Sequence, residues 1–413
     1  MKIISKHSSG RKLKQDGYQI SAIAKAKKLV DDSVVDCTLG TFFYEDGGFR
    51  GHKTVKKVDA SLTDRERFSY AISEGGKDFE EAVKKWFFKH TLEDVEKELL
   101  VKVVPTPGGT GALYSSVFNS MDPGETILIP EPCWGPYLTI SRNLGYEIER
   151  FFLFKDNKFD LDGFIEKCEK VKAKQNKLVI MLNDPCNNPT GYTMDEEELK
   201  ALIEYLNSDP TVPCTLIYDT AYLDMAIEGM DKVRDRLKVF ALAKENVFTS
   251  IIFSASKTLF IYGERLGAQI ILGKDKENVI DYFNACVYTA RSTWSNCNHG
   301  MMSLFVKIND SEELKKELDE EINQVVNVLK ERSEIFLKET KEVGLVTYPY
   351  KSGFFITIPC KNNQVVFEKL IEKEKVYLTL SDNSVRVAIC SVPKKEVYGL
   401  AGKIKSVIDE FGK

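Results

Sequence analysis

The chain has 413 residues, 43% hydrophobic and 29% charged, and 58 basic against 62 acidic side chains leave a formal net charge of −4. That balance, with lysines interspersed among Asp and Glu, excludes a basic nucleic-acid tail, and no run approaches the ~18 uncharged apolar residues of a membrane span. Nine cysteines at scattered positions, with no CxxC pair, offer neither zinc-ligand spacing nor a disulfide framework, so reduced thiols in a cytoplasmic protein are expected.

The length predicts two domains. The N-terminal segment, 1–48, has no sheet of its own and lacks the apolar core of a signal peptide, so it is expected to pack on a small domain at the other end of the chain. A large domain is expected over 49–310. Within it, Pro107-Gly108-Gly109-Thr110-Gly111 leads into an apolar helical stretch, a turn whose backbone N–H groups can meet a dianion. A nucleotide P-loop is the obvious rival, but the Gly-Lys-Ser/Thr ending is missing.

Buried strands are expected at 126–130, 178–183, 214–219, 248–254 and 267–272, alternating with helical patterns, which implies a mostly parallel sheet covered on both faces. Thr193-Met194-Asp195-Glu196 reads as a capping box before a helix carrying Leu199, Leu202, Ile203 and Leu206. Three strands end in polar residues, Asn183, Asp219 and Ser254, and ligands of open α/β sheets bind beyond such strand ends. From 311 to 413 a long charged helix (311–343), a helix near 365–375 and strands at 376–380 and 385–390 make the small α/β domain. No internal repeat or low-complexity tract interrupts the pattern.

The chemistry concentrates at Ser254-Ala255-Ser256-Lys257, followed by Gly263-Glu264-Arg265-Leu266-Gly267. A lysine among hydroxyls, with an arginine in a glycine-bracketed turn, suits covalent capture of a phosphorylated aldehyde. With Asn187-Asn188-Pro189-Thr190-Gly191 and Asp219-Thr-Ala-Tyr222, these motifs resemble the aspartate aminotransferase family of fold type I pyridoxal phosphate enzymes. The resemblance runs from Tyr70 to Arg386, in order, and implies an α/β large domain with a seven-stranded type of sheet plus a small α/β domain.

The resemblance assigns roles residue by residue. Lys257 is the lysine that holds pyridoxal 5'-phosphate covalently and later moves a proton. Asp219 pairs with the pyridine nitrogen, Tyr222 and Asn188 bond the ring hydroxyl oxygen, and Trp134 stacks on the ring. Gly109, Thr110, Ser254 and Arg265 cradle the phosphate, joined by Tyr70 from a partner subunit. Arg386 is the clamp for the substrate α-carboxylate, with Asn188 and Trp134 beside it. Arg291, in Arg291-Ser-Thr-Trp294-Ser295-Asn296, resembles the arginine that reaches across a homodimer to a side-chain carboxylate.

The expected activity is transfer of an amino group between an amino acid, aspartate or glutamate first, and a 2-oxo acid such as 2-oxoglutarate in two half-reactions. Aromatic substrates or a lyase reaction (β-elimination) are the alternatives. A non-catalytic cofactor-binding regulator is disfavoured because no helix-turn-helix pattern or basic patch precedes Tyr70. Tyr137 and Asn183 stand where aspartate enzymes commonly carry histidine, and Phe42 where a glycine is usual. No metal, nucleic acid or membrane partner is expected, and the resemblance places cis peptide bonds at Glu131-Pro132 and Asn188-Pro189.

Overall fold

The computed structural model describes residues 3–12 and 17–412. Its main sheet has seven strands, in spatial order Leu100–Pro107, Leu266–Gly273, Val247–Ser254, Cys214–Asp219, Leu178–Asn183, Thr126–Glu131 and Glu147–Phe152. All neighbours pair in parallel except Leu266–Gly273, which runs antiparallel to both of its partners. Every residue of Leu178–Asn183 and of Leu266–Gly273 is buried, as expected when helices cover both faces. The two edge strands, Leu100–Pro107 and Glu147–Phe152, are not among the expected five, because they are partly exposed and mix charged residues with apolar ones.

Register brings the polar strand ends together. Asn183 pairs with Asp219, Asp219 pairs with Ile252, and Ser254 ends the same strand two residues further on.

The helix after the Asn187–Gly191 loop spans Glu196–Leu206, and its capping box is Asp195 with Glu198 rather than Thr193 with Glu196. The displacement has a local cause. The Thr193 hydroxyl accepts from the Cys186 N–H at 2.9 Å and lies 3.3 Å from the Ser352 hydroxyl, so it is committed to the loop.

At the ends of the chain, Val35–Asp36 pairs in parallel with Val376–Tyr377, and Ile20, Ala24 and Val34 cluster with Tyr377. A three-stranded antiparallel sheet follows the order Phe355–Pro359, Ser384–Ala388, Thr379–Ser381. The expected strand over 376–380 is therefore two short ones, and the one expected over 385–390 stops at Ala388. A 32-residue helix, Glu312–Val343, starts at the Ser311 cap and stops at left-handed Gly344. From its middle, fully buried Arg332 donates to the carbonyls of Phe43 and Cys390 and to Glu45. One guanidinium thus ties the N-terminal segment to the end of the Ser384–Ala388 strand. No helix among the described residues is long and apolar enough to cross a membrane.

Candidate active site

Three strand ends and one strand of the small sheet carry the site. The turn Ala255–Thr258, directly after strand Val247–Ser254, presents Lys257. Its Nζ donates to the Gly40 carbonyl at 2.7 Å and stands 4.4 Å from the centre of the Tyr262 ring and 5.8 Å from that of Tyr222. Burial pushes the Lys257 pKa down to about 8, helped by the guanidiniums of Arg386 and Arg265 and opposed by Cys390.

Asp219 is 5% exposed. Its Oδ2 accepts from the Tyr137 hydroxyl at 2.5 Å and its Oδ1 from the Ala221 N–H at 3.0 Å. Burial raises its pKa to about 6, and both hydrogen bonds oppose the rise. Tyr137 therefore fills the place expected to hold a histidine, with a donor aimed at the same carboxylate. Asn183, the other departure, donates to the Asp219 carbonyl at 2.8 Å and accepts from the Asn188 N–H at 2.5 Å, splinting two strand ends together.

The Asn187–Gly191 loop is closed by its own side chains. Asn187 Oδ1 accepts from the Thr190 N–H at 3.2 Å and from the Thr190 hydroxyl at 2.9 Å. The cis bonds are Glu131-Pro132, as expected, and Asp184-Pro185 rather than Asn188-Pro189. The chain turns immediately after Asn183, and the Asn187 side chain then shapes 188–190.

Arg386 lies across the small sheet from Thr357 and Thr379. Its Nη1 donates to Asn188 Oδ1 at 3.0 Å and its Nη2 to the Thr38 carbonyl at 2.7 Å. Its Nε is buried without a partner among the described residues, and its plane stacks 4.1 Å from the centre of the Phe355 ring. Asn188 Nδ2 in turn lies 3.5 Å from the Tyr222 hydroxyl. Arg386, Asn188 and Tyr222 thus form one chain of contacts leading to Lys257.

The residues expected to hold a phosphate gather at the start of helix Gly108–Ser120, whose N-cap, Pro107, offers no side-chain acceptor. Gly108 has φ +72°, and a Cβ there would meet Arg265 Nη2 at 2.4 Å, so only glycine lets the guanidinium lie over the turn. Gly109 lies against Ser254, and Thr110 is exposed in the same first turn. Arg265, itself in the left-handed region at φ +56°, donates to the Ser256 hydroxyl at 3.2 Å and to the Tyr262 carbonyl at 2.8 Å. An uncapped helix start, two hydroxyls and a guanidinium match a phosphate group, and a buried carboxylate with a raised pKa matches a protonated ring nitrogen. These residues fit pyridoxal phosphate.

Trp134 is half-buried and packs edge-on against Tyr137, with ring centres 5.6 Å apart. Tyr70 is 90% exposed, and Arg291 is exposed at the end of helix Lys276–Thr293, donating to the Ser295 hydroxyl at 2.5 Å. Neither joins the site of its own chain. The residues not singled out from sequence are Gly40 and Tyr262, which touch the Lys257 amine. The Tyr262 hydroxyl also lies 3.2 Å from the Phe42 N–H and accepts from it. Tyr262 stands inside the Lys257–Gly267 segment, so its motif was a usable signal; Gly40 contributes only a carbonyl, which no side-chain pattern reveals. No His/Cys/Asp/Glu group suited to a metal occurs among the described residues. Two surface clefts, of about 560 and 480 Å³, lie elsewhere, beside Trp86 and Asp319 and beside Arg236 and Lys351.

A family model for aminotransferase class I and II matches residues 41–404. The mitochondrial aspartate aminotransferase of Saccharomyces cerevisiae is 27% identical over 270 residues, covering 60% of this chain and 58% of that protein. An aromatic-amino-acid aminotransferase of Pseudomonas aeruginosa is 26% identical over 211 residues, covering 50% of this chain and 51% of that one. The chain thus spans little more than half the length of these two relatives. Among solved structures, an aminotransferase from Anaerococcus prevotii superposes with a TM-score of 0.93 at 28% identity, covering 98% of this chain and 99% of that one.

Proposed function

Because this chain belongs to the aminotransferase class I and II family, whose enzymes use pyridoxal phosphate, we propose that it moves an amino group between a dicarboxylic amino acid and a 2-oxo acid. The observation that carries this reading is the run from Arg386 through Asn188 and Tyr222 to the Lys257 amine. When bound, the cofactor supplies an aldehyde for amines and a ring that withdraws electrons from the neighbouring carbon.

The chain's own residues do the rest. The guanidinium of Arg386, with a free Nε and a fork held by Asn188 and Thr38, would grip the substrate α-carboxylate and fix the orientation of the Cα–H bond. Lys257, with its pKa lowered to about 8, becomes the free amine as the pH rises through mildly basic values and can then accept and return that proton. Asp219, ionised above about pH 6, would stabilise a positive ring nitrogen, with Tyr137 holding the carboxylate in place. Gly109, Thr110, Ser254 and Arg265 would hold the phosphate. The division at 49–310 and 311–413 would place the cofactor on the large domain and the carboxylate clamp on the small one. Nine free cysteines support a reducing, cytoplasmic setting.

Selectivity is assigned to Arg291, supplied with Tyr70 by the second copy of a homodimer, since both are exposed in the single chain. The rings of Tyr222, Tyr262 and Phe354 around Lys257 favour aromatic amino acids as a second reading. A half-reaction panel of aspartate, glutamate, tyrosine, phenylalanine, alanine and cysteine, followed by the visible absorbance of the loaded enzyme, tests both. Rapid change with aspartate and none with tyrosine is expected, together with loss of the lysine-bound band in Lys257→Ala. Fast tyrosine turnover overturns the dicarboxylic assignment, and release of pyruvate and ammonia from cysteine overturns transfer itself.

A further inference from the structure

Asp224 is 2% exposed and lies two residues beyond Tyr222, in the turn Leu223–Met225. Nothing in the chemistry described so far uses it. Its Oδ1 accepts from Arg234, a side chain with no exposure at all, which also donates to the carbonyls of Phe87 and Met230. Its Oδ2 accepts from the Thr258 hydroxyl at 2.6 Å and from the Trp86 indole N–H at 3.2 Å. Burial pushes the Asp224 carboxyl up, but the Arg234 charge and the three donors outweigh it and hold the pKa below the usual range. Asp224 therefore stays an ionised acceptor, and the Thr258 hydroxyl must be the donor.

Thr258 is the residue after Lys257 and the last of its four-residue turn. Asp224 belongs to the loop that follows Asp219 and carries Tyr222. A single buried carboxylate, anchored by Arg234 and Trp86 on the far side, thus joins the loop bearing Asp219 and Tyr222 to the turn bearing Lys257. A charge-assisted bond in so enclosed a place resists the small rotations that would carry the lysine amine off its line.

We propose that Asp224, acting through Thr258, is a positioning group that sets where the Lys257 amine stands relative to Asp219 and Tyr222. The assignment rests on Lys257 being the cofactor lysine. In the loaded enzyme, Thr258→Val keeps shape and removes the donor, while Thr258→Ser keeps the donor. Thr258→Val is expected to retain the visible band but shift the pH midpoint of its titration by about half a unit or more. It should also lower kcat about tenfold with KM within a factor of about two, the scale of one lost hydrogen bond. Thr258→Ser should restore both.

A Thr258→Val enzyme with a wild-type midpoint and wild-type kcat, altered only in melting temperature, overturns the proposal. If Thr258→Val does not fold, Thr258→Ala reads the same loss; failure of both while Thr258→Ser folds makes Thr258 structural and also overturns it. Absence of any lysine-bound band in the wild-type enzyme, in contrast, refutes the cofactor assignment of Lys257 rather than the role of Asp224.

Discussion

Asp219 and Lys257 are poised by the same force in opposite directions, since burial penalises whichever form is charged. For Asp219 the folded value, about 6, exceeds the ordinary carboxyl value of 3.8. A raised acid contributes stability below its unfolded pKa that is lost as pH rises through the folded one, here between about pH 4 and 6. A two-unit displacement of a group this buried corresponds to about 3 kcal/mol. The apo-protein of Asp219→Asn is therefore expected to melt higher than wild type above pH 6 and to lose that advantage toward pH 4, while failing to retain cofactor. Thermal scans across this range check it, and a variant less stable at pH 8 contradicts it. The placement of Asp219 at a strand end was legible in the sequence. The identity of its partner was not, because Tyr137 lies 82 residues away and only folding brings its hydroxyl to 2.5 Å.

At the level of elements, the proposed phosphate cradle depends on how closely one strand approaches a helix start. Gly267, in strand Leu266–Gly273, faces the start of helix Gly108–Ser120, and a Cβ on it would fall 2.5 Å from the Gly108 carbonyl carbon and 2.8 Å from the Phe253 carbonyl oxygen. Backbone atoms cannot step aside as a side chain can, so Gly267→Ala should destabilise the fold by about 1–3 kcal/mol. It should also weaken cofactor binding at least about tenfold by displacing the first helical amides. Melting temperature and a cofactor titration read the two effects, and unchanged affinity contradicts the second. The central strands were readable because residues buried on both sheet faces form apolar runs, whereas the mixed edge strands carry no such run. The Glu196–Leu206 helix was readable too, but its cap was misplaced because two overlapping boxes compete and tertiary contacts claim Thr193.

For the whole molecule, Phe68, Tyr70, Ile72 and Tyr288 stand 63–90% exposed in the single chain. That much exposed aromatic and aliphatic surface suits a contact between two copies. Sedimentation is expected to give a dimer, and Tyr70→Phe to weaken cofactor binding about tenfold by removing one hydroxyl from the partner's phosphate site. A monomer that binds cofactor with full affinity contradicts both. The sequence by itself determined the family, the cofactor class, the strand-end position of Asp219 and the place of Lys257 just beyond a strand, because local motifs and burial periodicity are written in consecutive residues. Only the tertiary structure decided that Tyr137 serves Asp219, that Gly40 and Tyr262 meet the lysine amine, and that Asp224 joins the two active-site turns. Those contacts depend on distances between segments far apart in the chain, set by sheet order and register rather than by neighbours in sequence.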